Sequence, residues 1–336
     1  MPEVRAHRSG TFCWADLPTT DLDHAIAFYS ELFNWRAVDA ETPEGYGRYV
    51  LFQKNGKTVA AAYAMEEELA ESGVAAHWES FIATKAVDEL SARAAELGAT
   101  VVAPPFDMPG VARMAVLADP EGATFTLYQA TPEIGTQLLN EPGAPCWFEL
   151  YARDLETSTG FYANLFGYEL RNAVGLGGAP YVQFGIGKGA AAGAMQLRPE
   201  WGDMPPMWAV YFQTDDLDAA IARAESHGGD LLMAPTQVPG VGRFAMLCDP
   251  QGASFMLMEM GAPARKSPPP APALEAVEEI EAASDEADAS DDASAEPDAD
   301  NRSADDDDDD DDDIAGEVEA GLVDAGTGGE VETPQG

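Results

Sequence analysis

One stretch of this chain is written twice. TFCWADLPTTDLDHAIAFYSELFNW occupies residues 11–35, and APCWFELYARDLETSTGFYANLFGY occupies residues 144–168, at an offset of 133. A second pair lies further along: PGVARMAVLADPEGATFTL at 109–127 returns as PGVGRFAMLCDPQGASFML at 239–257, at an offset of 130. Repeated segments in the same order and at nearly the same offset indicate two homologous units.

Each unit divides again into two modules of similar plan. CWADL at residues 13–17 alternates like a short strand, and residues 20–35 have the apolar spacing of an amphipathic helix that Thr20 or Asp21 can cap. Two strand patterns follow. The second half of the unit then repeats the order, with a strand, a helix ending at Gly98 and a hairpin closed by DPEG. The sequence therefore predicts an α+β fold of four βαβββ modules.

The repeats and the composition set the expected domain boundaries. We expect a first domain at residues 8–133, a linker at 134–142, a second domain at 143–261 and a tail at 262–336. The tail holds nine consecutive aspartates and no aromatic residue, so it cannot bury enough apolar surface to offset the entropy of ordering. We predict a disordered acidic tail, which either keeps the chain in solution or binds a basic partner or divalent cations.

The charge and the cysteine content narrow the classes of partner. The formal net charge is −42, and residues 271–336 carry 26 of the 60 acidic residues but only one of the 18 basic residues. The first 270 residues are still acidic and have no basic patch to neutralise phosphates, so we do not expect nucleic-acid binding. Three cysteines without a CxxC pair suit a reducing compartment. We expect a cytoplasmic protein outside the membrane, because the sequence has no apolar signal segment at its start and no run near the roughly 20 residues that span a bilayer.

The repeated motifs resemble those of a known superfamily. The helix pattern D-L-x5-F-Y-x2-L-F and the hairpin pattern D-P-x-G-A-x-F-x-L occur in both units. They are similar to those of vicinal oxygen chelate proteins, which include glyoxalase I, bleomycin-resistance proteins and extradiol dioxygenases, and above all to bacterial tandem glyoxalase-like proteins, some of them labelled hydroxylases. The resemblance covers residues 8–261. It implies that two modules pair into one cup-shaped pocket, so that a tandem chain builds two cups as a monomer with two pseudo-dimeric halves, or as a weak homodimer.

The resemblance also implies where a metal would bind. Members that use Ni, Zn, Mn or Fe place His, Gln or Glu on the first strand of each module and Glu on the last strand. In the first domain these positions fall at Trp14, Glu79 and Thr126. In the second domain they fall at Trp147, Ala209 and Met256. Because only Glu79 is a competent metal ligand, we expect no metal site and no cofactor, and a divalent metal is an option only in the first domain.

A displaced polar site is the alternative in the first domain. Side chains alternate along a strand, so Asp16 should face the same side as Trp14, while His77 and Glu79 should share a face of the fifth strand. Two carboxylates and an imidazole that converge can bind a divalent ion or act as a general base. Asp16, His77 and Glu79 are therefore the candidate catalytic residues, unless His77 lies in the loop before the strand as an ordinary surface histidine.

The candidate ligand contacts lie on the same faces. Trp14 and Trp147 offer flat apolar walls for a planar guest, or else are plain core residues. Glu149, like Asp16, would cost free energy unless it is paired. Arg113 and Arg243 either pair with these acids or hold an anionic ligand. The other candidates that could line the cups, or equally serve packing, are Thr126, Tyr128, Met256, Tyr63 and Tyr211.

Strand alternation also predicts which residues face away from the cups. Trp78 and Trp208 neighbour the inward positions of the fifth strand of each unit, so we expect them to face the helices as core residues. Cys13 and Cys146 neighbour the candidate tryptophans, and the same argument places them on the outward face. We expect both to be buried, inert thiols.

Three functions remain open at this point. The first is a glyoxalase/bleomycin-resistance-type protein that binds a small organic molecule, planar or aromatic, in one or both cups without a metal. The second is an enzyme, a lyase, isomerase or oxygenase that uses Asp16, His77 and Glu79 with or without a divalent metal. The third is an interaction protein that acts through its acidic tail.

Overall fold

The computed structural model describes residues 3–42, 45, 47–131 and 133–261. The tail predicted at residues 262–336 lies outside the described residues. Within them, no helix is long and apolar enough to cross a membrane.

The first half of the chain forms one eight-stranded sheet, which runs across in the order β2-β3-β4-β1-β5-β8-β7-β6. The two central strands, β1 and β5, are antiparallel, and each has a parallel neighbour from its own module, β4 or β8. Two modules therefore join through their first strands. The strands are β1 (Phe12–Thr19), β2 (Arg36–Asp39), β3 (Tyr49–Lys54), β4 (Lys57–Ala64), β5 (Glu79–Ala83), β6 (Thr100–Met108), β7 (Ala112–Ala118) and β8 (Thr124–Ala130).

The second half repeats this sheet strand for strand, in the order β10-β11-β12-β9-β13-β16-β15-β14. Its central strands β9 and β13 are again antiparallel. The predicted α+β fold with two tandem domains is confirmed. The strands are β9 (Pro145–Ala152), β10 (Glu169–Val174), β11 (Pro180–Ile186), β12 (Gly189–Gln196), β13 (Met207–Thr214), β14 (Asp230–Val238), β15 (Gly242–Cys248) and β16 (Ser254–Met260).

A helix follows the first strand of every module. These four are α1 (Leu22–Phe33), α3 (Val87–Glu96), α4 (Leu155–Phe166) and α5 (Leu217–Ser226), while α2 (Glu67–Glu71) is an extra turn after β4. Asp21 is the N-cap of α1, since its carboxylate accepts from the backbone N–H of His24 at 3.1 Å. Gly98 follows α3 with φ +99°, the left-handed conformation that ends a helix most easily with glycine.

The helix-covered faces of the two sheets share one apolar core. Trp78 and Trp208 belong to it, as predicted. Two equivalent hydrogen-bond chains cross between the halves of the chain. In one, the Trp78 indole donates to the Tyr29 hydroxyl at 3.0 Å, and Tyr29 donates to Asp249 at 3.1 Å. The other runs from Trp208 to Tyr162 and Asp119 at 2.8 and 3.1 Å. Each aspartate opens a DPxG turn, so the turn that closes one domain also anchors the helix of the other.

Candidate ligand-binding cups

The face of each sheet that points away from the shared core carries a separate cluster of side chains. On the first sheet this face, which we call the first cup, includes Trp14, Ala61, Phe81 and Tyr128. On the second sheet the corresponding second cup includes Tyr151, Tyr211 and a group of methionines. Strand alternation accounts for this division from Trp14 onwards in β1, because Ala15 and Leu17 belong to the core.

The prediction that Cys13 and Cys146 face outward is wrong. The register of β1 against β5 shifts between Phe12 and Trp14, which is a β-bulge, and it turns Cys13 towards the cup beside Trp14. β9 has the same irregularity against β13, and Cys146 packs against the second cup. Both thiols are nevertheless largely or fully buried, and burial raises the pKa of Cys13 and brings that of Cys146 to about 12. Such thiols are poor nucleophiles at neutral pH.

Two carboxyl groups face each other in the first cup. Asp16 on β1 lies directly opposite Glu79, the first residue of β5. Asp16 is 5% exposed, and its Oδ2 accepts a hydrogen bond from Tyr49 at 2.9 Å. Its Oδ1 is buried without a hydrogen-bond partner. Burial and then the neighbouring charge of Glu79 raise the pKa of Asp16 well above its usual value, so this carboxyl holds a proton more tightly than an exposed one.

His77 joins this pair from outside the strand. It precedes β5 and is 41% exposed, as the loop alternative predicted, and one ring nitrogen lies 2.8 Å from the carbonyl of Ala75. The other nitrogen is 3.8 Å from Oε1 of Glu79, whose side chain is 25% exposed. Burial acts to lower the pKa of His77, but the nearby carboxylate of Glu79 and the hydrogen bond to the Ala75 carbonyl outweigh it, and the pKa is raised. The structure thus brings Asp16, Glu79 and His77 together, with His77 at the solvent edge.

Aromatic side chains surround the two carboxyl groups. The Trp14 indole donates to the Tyr49 hydroxyl at 3.0 Å, and the Tyr63 hydroxyl lies 3.4 Å from Oε2 of Glu79. The Tyr49 and Tyr63 rings stack with centroids 5.9 Å apart. Phe81 lies directly opposite Trp14 across the β1–β5 pair. The first cup is therefore an acidic pair within a ring of aromatic side chains.

The second cup surrounds its single carboxyl group with hydroxyl groups. Glu149 is 5% exposed, and its Oε2 accepts a short hydrogen bond from Tyr211. Burial raises the pKa of Glu149, while hydrogen bonds from Tyr181, Tyr211 and Tyr151 act against that rise. The Trp147 indole donates to Tyr181 at 3.0 Å, as Trp14 does to Tyr49. Unlike Asp16, Glu149 interacts with three tyrosine hydroxyls, and Ala209 stands opposite it where the first cup has Glu79.

Side chains and a loop turn fill the rest of the second cup. Trp201, in a 3-10 turn at Pro199–Trp201, packs edge-on against Tyr151 with centroids 5.7 Å apart. Gly193 leaves room for Tyr181, since a Cβ there would overlap the Tyr181 hydroxyl. The methionines that pack in this cup are Met195, Met204, Met207, Met233, Met246, Met256 and Met258.

The residues at the family's metal positions do not fit a metal ion. In the first cup they are Trp14, Glu79 and Thr126, and only Glu79 offers a carboxylate. The second cup has Trp147, Ala209 and Met256, without a nitrogen or oxygen ligand. No group of three His, Cys, Asp or Glu side chains with the spacing of a metal site occurs in the described part of the chain.

The remaining sequence candidates lie in less favourable places. The alternative that Arg113 and Arg243 pair with the cup acids is wrong. Arg113 makes a two-pronged ion pair with Asp88 at 2.7 and 2.8 Å, and Arg243 pairs in the same way with Asp218. Both pairs tie a strand to the helix behind the sheet. The Tyr128 hydroxyl donates to the carbonyl of Glu133 at 2.9 Å. Buried in the cup walls are Thr126, which lies opposite Phe81, and Met256, which lies opposite Tyr211.

Sequence reasoning missed Tyr49 and Tyr181. Tyr49 accepts a hydrogen bond from Trp14 and donates to Asp16, and Tyr181 links Trp147 to Glu149 in the same way. Both stand in the repeated pattern Y-V-x-F, at residues 49–52 and 181–184, an offset of 132. That shorter repeat is the signal that could have found them. Tyr151 has no such signal, because Pro18 occupies the equivalent position.

Two cavities lie at the margins of these faces. One of about 280 Å³ opens where Ala83 and Tyr128, at the end of the first cup, meet His7, Ser9 and Ile134. Another of about 620 Å³ lies at the start of α4, lined by Arg153, Glu156, Leu170 and Gln196 among others, outside both cups. Asp16, Glu79 and Glu149 line neither of these two cavities.

Comparison with known proteins gives the same assignment over most of the chain. The model of the Glyoxalase/Bleomycin resistance protein/Dioxygenase superfamily matches residues 11–127 and again residues 146–257. Putative glyoxylase CFP32 of Mycobacterium tuberculosis is 36% identical over 259 residues, which cover 77% of this chain and 98% of that protein. Anthracycline biosynthesis protein DauV of Streptomyces sp. (strain C5) is 33% identical over 261 residues, covering 75% of this chain and 94% of that protein.

Solved structures with the same fold include a Mn(II)-bound glyoxalase and a dioxygenase. The Mn(II)-bound glyoxalase from Novosphingobium aromaticivorans superposes with a TM-score of 0.53 at 17% identity, over 76% of this chain and 83% of that one. The 2,2',3-trihydroxybiphenyl 1,2-dioxygenase of Sphingomonas wittichii strain RW1 gives 0.53 at 14% identity, over 75% and 90%. At such identities the likeness concerns the fold alone. From its two family matches and its close relatives, this chain belongs to the Glyoxalase/Bleomycin resistance protein/Dioxygenase superfamily.

Proposed function

We propose that this protein binds a small planar or aromatic molecule in its first cup, without a metal at the family's position. The observation that carries the proposal is Asp16, a buried carboxyl with one oxygen unpartnered, set beside a second acid within a ring of aromatic side chains. A buried polar atom without a partner costs about 1–3 kcal/mol, which a ligand can recover. Aromatic walls favour a flat guest.

The second cup is the weaker candidate for the same role. Hydroxyl groups surround its carboxyl, and methionines and Trp201 fill the space around it. The names of the relatives agree with an aromatic guest, since two of them are called anthracycline biosynthesis proteins. A role in sequestering such a molecule, or in presenting it to another enzyme, needs no catalytic group of the chain.

Further features support the rest of this proposal. The two equivalent tyrosine–aspartate links across the shared core suit a monomer whose halves form a pseudo-dimer. Three unpaired cysteines suit a reducing compartment such as the cytoplasm. The acidic composition does not suit a nucleic acid as partner.

Calorimetric titration of the full chain with 1-naphthalenemethanol, in buffer containing EDTA, tests the proposal. We expect one site, lost in Trp14→Ala and retained in the matched variant Trp147→Ala. Loss of binding in EDTA, or loss in Trp147→Ala alone, would contradict it.

The contact between Asp16, Glu79 and His77 also favours a second candidate, an enzyme that moves protons by general acid–base chemistry. Exchange of the carbon-bound hydrogens of dihydroxyacetone in D2O, followed by NMR, measures such an activity. An enzyme of this kind exchanges them faster than buffer and loses the excess rate in Glu79→Gln, whereas a pure binder shows no excess.

A further inference from the structure

The two carboxyl groups of the first cup present acceptors to each other. Asp16 and Glu79 are direct cross-strand neighbours, and the charge of Glu79 acts on the carboxyl group of Asp16. Tyr49 donates to one oxygen of Asp16 and Tyr63 to one oxygen of Glu79. The buried Oδ1 of Asp16 receives no donor. When both carboxyl groups are ionised, neither can donate a hydrogen bond to the other. A cation, or a group with two donor hydrogens, is then needed to bridge them.

Among the described residues, no lysine or arginine forms an ion pair with either acid, and Arg113 is bound to Asp88 and Asp107. His77 is a basic group in contact with the pair, and it approaches Oε1 of Glu79 from the solvent side. On the inner side of the pair, the buried Oδ1 of Asp16 is an acceptor that remains without a donor.

The surrounding rings suit a cation as well as a flat guest. Trp14, Tyr49, Tyr63 and Phe81 all belong to this face, and tyrosine and tryptophan faces attract an ammonium group. The combination of aromatic faces with carboxylates is the arrangement that proteins use to recognise amines.

We propose that the first cup selects ligands in which a protonated amine is attached to a planar ring system, with the ammonium group between Asp16 and Glu79 and the ring against Trp14. This inference rests on the proposed function, since it names the class of ligand for the same site. The second cup should show no such preference, because it lacks the second acid and its one carboxyl is already surrounded by donors.

A pair of probes of nearly equal shape tests the inference. The full chain is titrated by calorimetry at neutral pH with 1-naphthylmethylamine, which is protonated there, and with 1-naphthalenemethanol, which is neutral. We expect the amine to bind about tenfold tighter or more. Asp16→Asn and Glu79→Gln should each reduce that ratio towards one, and Glu149→Gln, the matched change in the second cup, should leave it unchanged.

The outcomes separate this inference from the proposed function. Equal affinity for the two probes, both lost in Trp14→Ala, overturns the amine preference and leaves the aromatic site standing. A preference for the amine that survives both acid variants also overturns it, since the charge recognised then lies elsewhere. Absence of binding by either probe overturns both. Melting curves confirm that each variant is folded, and Glu79→Gln, at a partly exposed position, keeps the test valid if Asp16→Asn does not fold.

Discussion

The two cups have the same strands and the same tryptophan–tyrosine–acid motif, yet they use it differently. In the first cup the acid has an acidic neighbour and one oxygen without a donor. In the second cup three tyrosines surround the acid, and methionines occupy the remaining space. The repeated acid therefore has its hydrogen bonds completed within the protein in the second cup, while in the first cup one of its oxygens has no donor.

A few equivalent positions account for the difference. Where the first cup has Glu79, Tyr63 and Thr126, the second has Ala209, Met195 and Met256. Each change removes a polar group from the second cup, and methionine adapts its shape to fill the space. The reverse occurs at Pro18, whose counterpart Tyr151 adds a hydroxyl beside Glu149 and Tyr211. We therefore expect the second cup to matter for stability and the first for binding.

The largest expected effect comes from adding one methyl group to the second cup. In Gly193→Ala the new Cβ would overlap the Tyr181 hydroxyl and displace its bonds to Trp147 and Glu149. We expect a loss of about 2–3 kcal/mol in the free energy of unfolding, measured by urea denaturation. Gly160→Ala is the control, because a Cβ there meets nothing within 4 Å in the middle of α4, and it should gain up to about 1 kcal/mol. An unchanged midpoint for Gly193→Ala would mean that the second cup is loosely packed.

We expect equivalent substitutions in the two halves of the shared core to destabilise the protein equally, unlike equivalent substitutions in the two cups. Tyr29→Phe and Tyr162→Phe each remove one of the two equivalent bonds to the turn aspartates. Each aspartate keeps backbone donors, but the buried indole N–H of Trp78 or Trp208 also loses its acceptor, so we expect about 2 kcal/mol of destabilisation for each variant. Thermal melting of both variants tests this. A large difference between them would show that the two halves are not equivalent at the core either.

The pH dependence of stability separates the two acids from exposed ones. Burial raises the folded-state pKa of both Asp16 and Glu149, so the folded state binds more protons than the unfolded chain above the usual carboxyl range near pH 4. Their contribution to stability is fully present below that range and is lost as the pH rises through the raised values. Glu149→Gln and Asp16→Asn should each make the fall in stability above about pH 4 shallower. Urea midpoints across this pH range measure it, and a fall as steep as in the wild type would contradict the burial of that acid.

The smallest expected effect concerns the thiols of the two cups. Cys13 is fully buried, whereas Cys146 is partly accessible and Cys248 lies at the end of β15 with less burial. With a thiol reagent under native conditions we expect Cys248 to react first, then Cys146, and Cys13 only on unfolding. Mass spectrometry of the labelled peptides gives the order. Early labelling of Cys13 would show that the first cup opens readily.

Much of the fold could be predicted from the sequence, because the duplicated motifs fix the modules and strand alternation fixes which side chains share a face. Alternation correctly placed Trp14 with Asp16 and sent Trp78 and Trp208 to the core. It failed at Cys13, where a bulge shifts the register without a mark in the sequence. The pairing of Arg113 with Asp88 rather than Asp16 depends on the position of α3 behind the sheet, which strand periodicity does not contain. The role of Tyr151 could not be predicted from the repeat, because no tyrosine stands at the equivalent position of the first domain.

The central claim is that the first cup, and not the second, takes the ligand. The most direct test is fluorine NMR of the full chain labelled with 5-fluorotryptophan. The chain has six tryptophans, so the spectrum contains six probes. Trp14→Phe and Trp147→Phe assign the two cup signals. On titration with 1-naphthylmethylamine the account predicts that the Trp14 signal shifts saturably while the Trp147 signal stays in place. A shift of Trp147 with Trp14 unchanged would contradict it.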